Sequence, residues 1–91
     1  AFNDRYEQAK TYHQLGRVAQ AQRQWAQARD YFLSALRTYH EYQDGHNAGI
    51  ALRSLARLWE ESGNAGLPAA VAAVLGVSAQ EAEALLRAGT G

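Results

Sequence analysis

The sequence predicts an all-α fold of about five helices, stacked as helical hairpins and closed by a short C-terminal capping helix. Two observations carry this. From Tyr6 to Leu36 apolar residues return every three or four positions, the spacing of one buried helix face, and no strand pattern is evident. Slid against itself, the chain matches best at an offset of 40: Tyr12 falls on Leu52, Leu15 on Leu55, Gly16 on Ala56, and Phe2-Asn3-Asp4 on Tyr42-Gln43-Asp44. A repeat of that length made of helical pattern means stacked helix pairs rather than a closed bundle.

The first helix opens at Asp4, a good N-cap, with Glu7 three residues on to complete a capping box. Tyr6, Ala9, Tyr12, Leu15, Gly16 and Ala19 form its buried stripe, while Lys10, Gln14, Arg17 and Gln20 lie off it. Ala21-Gln22-Arg23-Gln24 holds neither Gly nor Pro, so the turn there is read from a break in the phase of the stripe. Trp25 starts a second stripe, continued by Ala28, Phe32, Ala35, Leu36 and Tyr39, with Tyr31 and Tyr42 on its flanks. Gln43-Asp44-Gly45 supplies a stop, and Asp44 can cap the third helix. That helix carries Leu52, Leu55, Ala56 and Trp59 as its core stripe, with Arg53, Arg57, Glu60 and Glu61 as polar neighbours. The offset also sets Gln8-Ala9 on Ala48-Gly49, so small residues recur where two helices are expected to approach closely.

Gly63 suits a left-handed residue at the end of the third helix, and the composition then shifts. Residues 66–91 are alanine-rich and hold only Glu81, Glu83 and Arg87 as charges. Pro68 fits the first turn of a fourth helix running to about Leu75, where Gly76 stops it. Ser78 with Glu81 forms a second capping box, and Val77 with Ala82 a hydrophobic staple, for a fifth helix of roughly residues 79–88. Gly89-Thr90-Gly91 reads as a frayed end. The organisation expected is one domain over 1–91: a first repeat at 4–42, a shortened second repeat at 44–75, and a cap at 78–88.

Composition narrows the function classes. Nine basic and nine acidic residues cancel, so no global field draws in nucleic acid or an anionic membrane. Cysteine is absent, which removes disulfides and thiolate metal sites. The longest apolar run, Leu67 to Val77, is about half of a bilayer span. No Met occurs, not even at position 1, and no signal peptide is recognisable, which suggests a piece of a longer protein. The serines lack a nucleophile-elbow context, no Gly-rich phosphate loop follows a strand, and the adjacent Glu60 and Glu61 splay around a helix, so the chain does not read as an enzyme. His40, Asp44 and His46 cluster in sequence without a four-ligand spacing, and neither a metal nor a cofactor is expected.

With Tyr12, Leu15-Gly16, Trp25, Ala28, Phe32 and Ala35 at their places, the first repeat resembles a tetratricopeptide repeat. The 40-residue spacing is similar to the longer-repeat branch of that family, found in polarity-complex adaptors, kinesin light chains and many bacterial signalling proteins. The chain departs from the pattern in two ways. Ala19 replaces an aromatic late in the first helix, and Ala65, Pro68 and Ala72 stand where Trp25, Ala28 and Phe32 stood, so the second repeat is incomplete.

The resemblance implies a scaffold that binds a protein or peptide segment, without nucleic acid or membrane, in a bacterial, cytoplasmic signalling or regulatory protein. Family ligands lie along the face of the first helix of each pair. Carried onto this chain, that face takes Lys10, His13, Gln14 and Arg17, then Arg53, Ser54 and Arg57, with Gln20 and Glu60 nearer the far end. Arg can fork onto a carboxylate, so an acidic segment or a chain terminus is the matched ligand. A homo-oligomer formed through Phe2, Tyr6 and the outer side of the first helix is the second reading. Residues 67–89 also resemble a bacterial helix-turn-helix, but its second helix would offer Gln80, Glu81, Glu83 and one basic residue, which argues against DNA.

Overall fold

The computed structural model describes residues 4–90. Among them run five helices and no strand: α1 (Asp4–Ala21), α2 (Trp25–Glu41), α3 (Gly45–Ser62), α4 (Leu67–Leu75) and α5 (Ala79–Thr90). The all-α class therefore stands, and α5 runs on to Thr90 where a frayed end was expected. Asp4 is the first helical residue, so the cap position before it lies outside the described residues. Phe2 and Gly91 lie outside them too.

Helices α1 and α2 form an antiparallel hairpin. Tyr6 packs edge-on to Tyr39 and Tyr12 stacks on Tyr31, so one helix is read upward as the other is read downward. The two helices approach closely at Gly16. A Cβ built there would lie 2.6 Å from two ring carbons of Phe32, whose side chain is fully buried. Absence of a side chain on α1 is what lets an aromatic on α2 fill the space between the backbones. Ala28, Ala35 and Leu36 complete the core face of α2.

The turns after α1 and α2 share one construction. Arg23 (φ 60°) and Gln43 (φ 56°) take left-handed conformations. Gln24 N–H then donates to the Ala19 carbonyl at 2.9 Å and Arg23 N–H to that of Gln20 at 3.0 Å; Asp44 and Gln43 donate likewise to Tyr39 and His40 at 2.9 and 3.1 Å. These paired bonds satisfy helix-end carbonyls that would otherwise be orphaned, a closure usually built on glycine. A side chain in that conformation costs about 1–2 kcal/mol; Arg23 and Gln43 adopt it nonetheless, so the first turn carries no glycine signal. Gly63 (φ 66°) and Gly76 (φ 71°) end α3 and α4 as their residue type predicts.

Beyond α3 the second pair does not copy the first. Helix α3 is covered by α2 and then by α5, while α4 turns back onto α2 and α5. Pro68 sits in the first turn of α4, and Leu67, Pro68, Val71 and Ala72 are buried. Ala82 and Leu86 of α5 are fully buried, and the Arg87 guanidinium lies 5.4 Å from the centre of the Trp59 ring. Glu81 N–H donates to Ser78 Oγ at 3.1 Å, the Ser78 half of the capping box expected there. Among the described residues no single helix is long and apolar enough to cross a membrane; α4 and α5 pass that test only together, across a 105° bend.

Three expectations about burial change. Leu15 is 40% exposed rather than part of the core. It stands about 100° round α1 from Gly16, on the flank opposite His13 and Gln20, where no described element covers it. Ala51 and Leu58 are buried beside the expected Leu55 and Ala56, because cover from both α2 and α5 widens the buried arc of α3. Gly49 has nothing within 4 Å of where its Cβ would lie, so no close approach requires it.

Gly16→Ala is therefore expected to destabilise the chain by about 1–3 kcal/mol, since the buried Phe32 ring has little room to yield. Gly49→Ala, in the helix interior with free space around it, is expected to stabilise by roughly 0.5–1 kcal/mol. Urea unfolding of both variants followed by circular dichroism checks the pair, and a shift of equal sign in both would contradict this packing.

Candidate functional site: the groove between α1 and α3

Helices α1 and α3 run side by side and touch sparsely, so long polar side chains bridge the gap. Three bridges do so in one register. Asn47 Nδ2 donates to Tyr6 Oη at 3.0 Å, His13 Nε2 and Ser54 Oγ share a bond of 2.8 Å, and Gln20 Nε2 donates to Glu61 Oε1 at 3.0 Å. Partners are 41 apart at every rung, and successive rungs are two helical turns apart, so α1 and α3 are parallel. Residues matched by the 40-residue repeat point the same way on their helices. Two side chains that meet must point toward each other, so the meeting pairs fall at a different offset.

The lowest rung is the most elaborate. Asp44 caps α3 by accepting from Asn47 N–H at 3.0 Å through Oδ1. Its Oδ2 accepts from Asn47 Nδ2 at 2.7 Å and from the Tyr6 hydroxyl. These bonds, led by the Asn47 N–H, bring the Asp44 carboxyl down to about 2. The Tyr6 hydroxyl is raised, chiefly because it donates to that carboxylate. With both oxygens so engaged, Asp44 caps α3 and ties α1 to it.

Above it the groove opens into a cavity of about 200 Å3 lined by His13, Arg17 and Gln20 from α1, and by Ile50, Arg53, Ser54 and Arg57 from α3. Six of the nine residues expected at the site thus converge. The Arg17, Arg53 and Arg57 side chains are exposed, and among the described residues none has a carboxylate within ion-pair distance. His13 sits over the Phe32 ring, with centroids 5.4 Å apart. Partial burial, and then the neighbouring Arg17, hold its pKa below the ordinary histidine value.

Three expected residues lie elsewhere. Lys10 pairs with Glu7 at 3.8 Å and lies over the Tyr6 ring at 5.4 Å, outside the groove lining. Gln14 is one residue past His13, about 100° round the helix, and lines the outer surface with Arg17, Val18 and Ala21. Glu60 is turned from the groove by the same angle; its neighbour Glu61 faces in. Ile50 and Glu61 were not foreseen, although counting by sevens from Asn47 on α3 finds Ser54 and Glu61 together.

Stability linked to Asp44 should be present above the ordinary carboxylate pKa and lost as pH falls toward the folded-state value of about 2. Asp44→Asn keeps a capping side chain but removes the titrating group. Its melting temperature is expected to fall less than that of the wild type between about pH 5 and pH 2, a comparison that thermal melts at stepped pH make directly. Comparison with protein-family models, with curated proteins and with solved structures finds no match for this chain.

Proposed function

We propose that the chain is a tetratricopeptide-like interaction module whose α1–α3 groove binds an acidic segment of a protein partner. One observation carries this reading: Arg17, Arg53 and Arg57 share the lining of one groove, without carboxylate partners among the described residues, in a chain of zero net charge. Three like charges held together repel one another, and an anionic ligand relieves that repulsion. Guanidinium groups fork onto carboxylates, so recognition is directional as well as electrostatic. The setting that goes with such a module is a larger bacterial, cytoplasmic signalling or regulatory protein. No catalytic role is proposed.

The double variant Arg17→Ala with Arg57→Ala is expected to abolish binding of the partner while leaving helicity unchanged. Both side chains are exposed, so the substitutions should barely affect stability. Capture of the partner by wild type and double variant, with circular dichroism of each, tests this. Equal capture by both would refute the groove.

A second reading is self-association through the outer face of α1. Leu15 and Val18 there are 40% and 54% exposed, and apolar side chains standing together invite a covering surface. Tyr6, first expected in that patch, instead points inward against Tyr39 and Tyr42. Light scattering over a concentration series is expected to give a dimer mass that Val18→Glu returns to monomer; a constant monomer mass would dismiss this reading.

A further inference from the structure

We propose that the groove selects a bipartite segment: an acidic residue at Arg17 and Arg57, and an aromatic residue a few positions away seated on Trp25. This rests on the acidic-segment reading above and adds what lies at the far end of the same groove. Past the Gln20–Glu61 rung the cleft stays open. It continues into a hollow of about 470 Å3 lined by Gln20, Ala21, Arg23, Trp25 and Glu61. Gln20, Ala21 and Glu61 also line the space beside Arg17 and Arg57, so the two compartments are continuous.

The two ends differ in chemistry. At one, three guanidinium groups face a shared space. At the other, Arg23 and Glu61 contribute one charge of each sign, so the end has little net field and no reason to favour a second acidic group. Its large apolar element is Trp25, half-buried against the core with part of its indole facing the hollow. The indole N–H has no hydrogen-bond partner among the described residues. An aromatic face beside a free donor suits an aromatic side chain followed by a main-chain carbonyl.

Spacing follows from helix geometry. Between the His13–Ser54 and Gln20–Glu61 rungs α1 rises roughly 10 Å, the length of about three residues of extended chain. Arg17 lies between those two rungs and Trp25 beyond the second, so a carboxylate beside Arg17 and Arg57 leaves a residue a few places away over Trp25. The Gln20–Glu61 bond crosses the path between them and offers the passing backbone an amide and a carboxylate.

Short synthetic peptides on a Gly-Ser frame test this with the whole chain. Each carries a Glu-Glu pair with Phe placed nearer or farther from it, in both orders. Titration calorimetry is expected to give the tightest binding at one separation of a few residues, in one order, about tenfold above the same peptide with Phe replaced by Ser. The indole N–H resonance of Trp25 should shift with the Phe peptide and stay in place with the Ser peptide. Trp25→Leu should lose the tenfold gain and keep the weaker Glu-Glu binding; the peptide series gives the answer even where that variant folds poorly. Equal affinity with and without Phe, or the same affinity at every separation, would overturn the aromatic seat and leave the acidic groove standing. No binding of any Glu-Glu peptide would overturn both.

Discussion

The contact between Gly16 and the Phe32 ring sets the geometry from which everything else follows. Phe32 is the largest side chain wholly removed from water, and it rests where α1 has no Cβ. Burying such a side chain is worth about 1.5–3 kcal/mol, but only if the neighbouring backbone comes close enough to exclude water. Gly16 permits that approach at the level where His13 packs on the same ring. The ring thus holds the hairpin together on one side and supports the groove histidine on the other. Packing and site share one residue.

From that hairpin α3 is positioned by polar rather than apolar contacts with α1. The Tyr6–Asn47, His13–Ser54 and Gln20–Glu61 rungs set the register of two helices whose backbones stay apart. A tightly packed apolar seam would close the space; bridging side chains leave it open and wettable. The same separation explains how three arginines can share one wall. At such exposure water screens their mutual repulsion, and each keeps its donors available to a ligand. Separation of α1 from α3 is thus both the structural compromise and the origin of the open groove.

The C-terminal part shows how a repeat can be ended without being completed. Pro68 prevents a long helix from continuing into the place of α2, and the left-handed residues Gly63 and Gly76 turn the chain sharply on either side of α4. Helix α5 then supplies the apolar cover that α3 lacks, through Ala82 and Leu86. The even placing of left-handed residues at 23, 43 and 63 keeps the first three helices nearly equal in length; beyond 63 that rhythm stops, and so does the likeness between the helix pairs.

The sequence by itself determined the five helices, their stops at Gly63 and Gly76, the Asp44 and Ser78 caps, and the Gly16 approach, because each depends on local backbone chemistry or on a single period. It also brought six groove residues to notice, since the repeat puts α1 and α3 side by side. Whether Leu15 is inside or outside, whether Glu60 or Glu61 faces the groove, and which helix covers α3 were decided by tertiary structure alone. Each turns on an angle of about 100° around a helix axis, or on which neighbour occupies a flank. An apolar period marks the centre of a buried face but not its edges, and the edges are set by the helices packed against it. The Trp25 end of the groove is of the same kind: in the chain Trp25 belongs to a core stripe, and only the open path past Gln20 and Glu61 makes it line the same groove.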